Sequence, residues 1–130
     1  NFKDKEYYTN TSITYTYNVE TGKATGTYGT ATAKDLTQLK TERKDNINRE
    51  ASSILQPTDW MVIRATEGGT AVPSDITTKR AAVRTKANSM CVQIDGASDV
   101  DAVAALYLVS NTGTEESPVY TRPLGELPTV

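Results

Sequence analysis

Asp95, Asp99 and Asp101 crowd into one short stretch, the first place in this chain to look for a bound cation. A calcium loop spreads its oxygen ligands in the order D-x-D-x-D-G-x5-E, and that order is absent here. Asp99 and Asp101 fit better at the start of a helix, where a carboxylate meets free backbone N–H groups and the positive end of the helix dipole. Glu115 and Glu116 are adjacent. Acid–base work by a carboxylate pair needs an apolar surround that lifts one pKa above the other, and their Pro-, Thr- and Gly-containing neighbourhood offers none. Gly22, Gly26 and Gly29 stand among Thr and Tyr rather than before the Lys-Ser/Thr that opens a phosphate-binding helix, so they read as small residues in strands or bends. Cys91 is the single cysteine, and with Met90 and Val92 beside it it reads as a small buried hydrophobe. The chain has no histidine, which removes imidazole ligands and the Ser–His and Cys–His pairs of nucleophilic catalysis. The expectation is a protein that is not an enzyme, with no catalytic, cofactor-binding or metal-ligating set and no small-molecule ligand.

Bulk properties narrow the partners. The formal charge is −2 at pH 7, and basic and acidic residues are interspersed without a Lys/Arg run, so no nucleic-acid partner is expected. No window approaches the roughly 18 apolar residues of a membrane span, and no signal-peptide pattern is present. A first residue Asn1 rather than Met is expected of a processed or trimmed chain, or of a piece of a longer one. The length of 130 residues suits one domain. The apolar fraction of 37% lies below the usual 45–50% or so, and the mean hydropathy is −0.49. Such a chain folds around a thin core or completes its burial in an assembly. Seven Tyr and one Phe suit half-exposed strands more than a deep oily centre.

Positioning elements follow from periodicity. Ile13, Tyr15, Tyr17 and Val19 alternate with polar residues, the period-two mark of a half-buried strand. Gly22 supplies a turn, and Thr25 to Ala31 a second strand, giving a β-hairpin. Thr32 with Asp35 three residues later reads as a helix start, and the helix runs to about Leu55, before Pro57, with Leu36, Leu39, Ile47, Ala51, Ile54 and Leu55 as its apolar side. Asp59 to Ala65 is short, apolar and partly β-branched, and reads as a strand or extended connector. Trp60, the only tryptophan, is expected to be buried between the first two helices, with Arg64 on the exposed side of the connector. Ser74 caps a second helix whose seam Ile76, Arg80, Val83, Ala87, Met90 and Ile94 repeats every four and three residues. Ser98 and Asp101 open a third helix with Val100, Val103, Ala104, Tyr107 and Leu108 on its apolar face. Beyond Asn111, Pro118, Pro123 and Pro128 exclude helix and central strand, leaving an extended tail.

The stretch around Trp60 also carries a resemblance. Thr58-Asp59-Trp60, an apolar triplet, the Glu67-Gly68-Gly69 turn, Val72-Pro73 and a helix bearing Arg80 and Arg84 resemble short tail-associated proteins of tailed bacteriophages, of the tail-fibre or tail-assembly-chaperone kind. The match covers roughly residues 36–90 and carries no catalytic motif. The resemblance implies a structural component or adaptor of a virion, located in the tail and, during assembly, in the host cytoplasm. Its implied partners are other phage tail proteins, in a homo- or hetero-oligomer. A tail-assembly chaperone absent from the finished particle is the alternative.

The fold class read from these patterns is α+β in a single domain: a hairpin arm over 1–32, a helical core over 33–110 and an extended tail over 111–130. The hairpin has too little apolar surface to hold itself, and the tail needs a surface to lie on. Ile13, Tyr15, Tyr17 and Val19 of the hairpin and Val119, Tyr120 and Leu124 of the tail are therefore the expected interface residues.

Overall fold

Helix α1, Leu36–Leu55, and helix α3, Ser74–Gly96, form the spine of a computed structural model describing residues 1–130. The fold is α+β, with three short antiparallel strand pairs beside the helices. The seam read from the sequence is the buried side of α3: Arg80, Val83, Ala87, Met90 and Ile94 are buried and Ile76 is half-buried. Val83, Ala87, Met90 and Ile94 form one cluster with Ile47 and Ala51 of α1, and Ile54 and Leu55 pack against it. Leu39 belongs instead to a second cluster with Tyr7, Val100 and Val103.

Helix starts are shifted from the expected residues by tertiary pairing. Asp35 itself caps α1, its carboxylate accepting the Gln38 N–H at 2.7 Å, because Thr32–Ala33 (β4) is taken up in pairing with Tyr8–Thr9 (β1). Ser74 lies inside the first turn of α3 and makes no side-chain cap; Pro73, with φ −52°, holds the flanking position. Asp99, not Ser98, caps α4 (Val100–Tyr107) by accepting the Ala102 N–H at 2.7 Å. Leu108 falls just past that helix and is exposed.

The segment expected to be an extended connector is helical. Gln56–Thr58 tightens into a 3₁₀ turn, with Pro57 tolerated at its start, and α2 follows over Asp59–Thr66. Arg80 explains why. Its guanidinium donates from Nη1 to the Leu55 carbonyl at 2.7 Å and to Thr58 Oγ1, and from Nη2 to Asp59 Oδ1 at 2.7 Å. One buried cation thus shares with the Thr58 hydroxyl the Leu55 carbonyl at the end of α1 and holds the acidic first residue of α2. The helix turns Trp60 outward, 53% exposed. The Arg64 guanidinium packs 4.8 Å from the centre of the Trp60 ring, the spacing of neighbours four apart on a helix. Trp60 is therefore not the core anchor, and half-buried Arg64 is not the outward residue.

The tail folds back. Ser110–Asn111 (β5) pairs with Tyr120–Thr121 (β6). Leu124 then enters the α1–α3 cluster with no exposed surface, and Leu127 and Val130 pack beside it. Two bonds hold it there: Lys86 Nζ donates to the Leu124 carbonyl, and the Leu124 N–H to the Leu106 carbonyl, each at 3.0 Å. No helix is long and apolar enough to cross a membrane.

Candidate interaction surface

Strand β2 (Ile13–Asn18) pairs with β3 (Lys23–Tyr28), and its register, Ile13 against Tyr28 through Asn18 against Lys23, continues the Tyr8–Ala33 and Thr9–Thr32 pairs without a bulge. The chain from Tyr8 to Ala33 is therefore one long hairpin, interrupted where 10–12 and 29–31 leave the ladder. The second strand begins at Lys23, earlier than the sequence pattern suggested. The turn is built by Asn18, whose side-chain oxygen accepts the N–H groups of Glu20 and Thr21 at 2.9 and 3.0 Å. Gly22, with φ 65°, takes the left-handed position that a side chain would strain.

Opposed residues in an antiparallel pair share a face, so Ile13, Tyr15 and Tyr17 lie on one side with Tyr28, Gly26 and Ala24, while Thr14 and Thr16 face Thr27 and Thr25 on the other. Of these residues only Tyr28 is half-buried, with the Phe2 ring 5.1 Å from its own; the others on both faces are exposed. Tyr15 is 72%, Tyr17 66% and Val19 83% exposed, and Ile13 is exposed as well. Of the tail candidates, Val119 and Tyr120 are exposed beside the β5–β6 pair. Leu124 is a core residue, which removes it from the interface set. The structure thus groups the four hairpin candidates on one projecting element, places Val119 and Tyr120 on another, and internalises the seventh.

The base of the hairpin is anchored firmly. Tyr7 is buried against Leu39, Val100 and Val103. The Arg43 guanidinium sits between two rings, 5.2 Å from Tyr7 and 4.8 Å from Tyr107, and bonds Glu6 Oε2 at 2.8 Å. Tyr8 donates its phenolic proton to Asp101 of α4, with the Lys3 ammonium 4.0 Å above the Tyr8 ring and 3.6 Å from the same carboxylate. The Tyr8 hydrogen bond and then the Lys3 charge hold the Asp101 carboxyl below its ordinary pKa. Burial pushes the Tyr7 and Tyr107 phenols up.

An open groove of about 540 Å³ runs between this base and α4, bordered by Lys3, Tyr8, Asp101, Leu108 and Val109. Lys3, Tyr8 and Asp101 bind one another there. The three aspartates singled out by their spacing part company: Asp95 bonds Lys44 at 2.7 Å, Asp99 caps α4 and Asp101 takes Tyr8. Cys91 is half-buried, and burial raises its thiol pKa, which disfavours the thiolate.

Sequence reasoning missed a second exposed apolar patch, Trp60, Val62 and Ile63 on α2. Its signal was available in the Asp59 and Arg80 pair, an acid at a helix start and a cation on a helix seam, but only a tertiary contact joins them. Comparison of the chain with protein-family models, curated proteins and solved structures returns no match.

Proposed function

We propose that this chain is a structural component or adaptor of a tailed-phage virion, at the tail, baseplate or fibre attachment, acting through protein–protein contacts within a homo- or hetero-oligomer. The observation that carries this reading is the hairpin: its base is locked into the helical body, Ile13, Tyr15 and Tyr17 of its aromatic face are exposed, and the outer edge of β2 pairs with no other strand. A two-stranded ribbon is marginal by itself in water, so a rigidly mounted one with exposed Ile13, Tyr15 and Tyr17 suits contact with a neighbour. Strand addition to such an edge draws affinity from main-chain hydrogen bonds and specificity from alternate side chains. The likeness of residues 36–90 to phage tail-associated proteins supplies the context. In this reading the chain is not an enzyme and needs neither nucleic acid, membrane, cofactor nor small ligand.

The same open edge would serve a tail-assembly chaperone that leaves before the particle is complete. Mass spectrometry of purified virions separates the two: stoichiometric recovery of the chain supports the component. Presence in infected cells with absence from particles supports the chaperone. Replacing Tyr15 and Tyr17 by Lys is expected to abolish incorporation, and wild-type incorporation of that variant would refute the role of the hairpin.

A further inference from the structure

We infer that the outer edge of β2 pairs with the same edge of a second copy of this chain, antiparallel about a two-fold axis, joining two hairpins into one four-stranded sheet. The inference rests on the proposed role of the hairpin in contacts and names its partner.

The two edges of the hairpin are not equivalent. The end of β3 is partly occupied: Asn1 Nδ2 donates to the Tyr28 carbonyl at 3.0 Å, the Phe2 ring packs at a tilt 5.1 Å from that of Tyr28, and Lys23 places a charge at the strand's start. The edge of β2 is clear, because β2 pairs with β3 alone. Its large side chains also lean away from that edge. A Cβ added at Gly26 of β3 would stand 3.0 Å from Tyr15 Cε1 and 3.1 Å from Ile13 Cγ2. Both side chains therefore rest over β3, in the space that a side chain at 26 would fill.

The edge is also unguarded. Natural edge strands are guarded by Lys, Pro, bulges or inward charges that stop another strand from adding. From Tyr7 to Val19 the chain has no charged residue and no proline, and the ladder has no bulge. A second copy of this edge meets it with no like-charge repulsion.

The side-chain pattern is also self-matching. A two-fold axis through Tyr15 sets Tyr15 against Tyr15 of the other copy, Ile13 against Tyr17, and Thr14 against Thr16. Aromatic pairs, aromatic with β-branched and Thr with Thr are the cross-strand classes that stabilise a sheet. An isologous contact of this kind closes at the dimer, leaving the β3 edges outermost. A six-residue strand is a small contact, so the dimer forms with rising concentration.

Sedimentation velocity of the full chain over a concentration series tests this, with circular dichroism confirming that each variant is folded. Wild type is expected to pass from monomer to dimer. Thr16→Lys brings one charge from each copy to the centre of the new ladder and is expected to stay monomeric. Thr25→Lys, on the same face but on β3, is expected to dimerise as wild type does. A wild type that stays monomeric throughout, or a Thr16→Lys variant that dimerises normally, overturns the pairing. Virion incorporation of the same proteins keeps the two readings apart. Monomeric protein that still enters particles through its hairpin removes self-pairing alone, whereas loss of Tyr15 and Tyr17 without effect on incorporation removes the adaptor role.

Discussion

Two side chains change roles once the fold is known. Trp60 is large enough to suggest a core anchor, yet it stands on the outside of α2 against Arg64. An exposed cation–π pair contributes about 0.5–1 kcal/mol, so Trp60→Ala is expected to lower stability by no more than about 1 kcal/mol, where a core tryptophan would cost 3–5 or so. Chemical denaturation of the variant measures it. The Tyr8–Asp101 contact makes a sharper statement about charge. The Asp101 pKa is depressed in the folded protein, so the stabilisation it brings is present above the unfolded value, about 3.9, and is lost as pH falls through the lower folded value. Tyr8→Phe deletes the donor and is expected to move the Asp101 midpoint back up toward the ordinary one, leaving only the pull of Lys3. Carbon-detected NMR titration of the carboxyl reads this directly, and an unmoved midpoint would assign the whole depression to Lys3.

At the scale of elements, what could be read from the chain depended on how many turns or strand residues carried the pattern. Helix α3 repeats its seam over five intervals, and every residue from Arg80 to Ile94 on that seam is buried. The hairpin forms where the alternation placed it, but its strands are Ile13–Asn18 and Lys23–Tyr28, so Val19 falls in the turn and 29–31 outside the ladder. The strand read as half-buried is exposed along its length because no helix lies against it. Asp59–Ala65 offers fewer than two turns, and with Val62 and Ile63 β-branched its local preference leans toward a strand. The deciding interaction, Arg80 on Asp59, comes from a helix far along the chain. Leu124 was illegible for a related reason: two leucines between prolines, Leu124 and Leu127, set no helical or strand period, and the place of Leu124 in the core is set by where the β5–β6 pair turns the tail. Leu124→Ala is expected to cost about 2–5 kcal/mol as a large-to-small core change, detectable as a lowered denaturation midpoint. A surface residue at that position would leave the midpoint within error.

For the molecule as a whole, burial is lopsided. Twelve of 130 residues are buried, and none lies between Tyr8 and Gln38. The helical body and its tail are therefore expected to hold their fold without the outer hairpin. Because Thr9 already faces Thr32 in register, residues 10–31 can be replaced by a two-residue Asn-Gly turn, the favoured connection for paired strands. The shortened protein is expected to melt within a few degrees of the parent and to lose its association with neighbours. A collapse in melting temperature would show that the hairpin stabilises the body.

The single register from Tyr8 to Asn18 also sets how the molecule answers a pull. Strands β2 and β3 extend the hairpin by roughly 20 Å, at about 3.3 Å per residue, and a neighbour gripping the Val19–Gly22 tip would tension both strands side by side. The hydrogen bonds between them would then be neither sheared nor peeled apart. The force would run down both strands to the base, where the Lys34 N–H meets the Tyr7 carbonyl, Asp35 starts α1, and Tyr8 grips Asp101 on α4. Under traction the first contacts to yield would be those at the root, and the tip would stay intact.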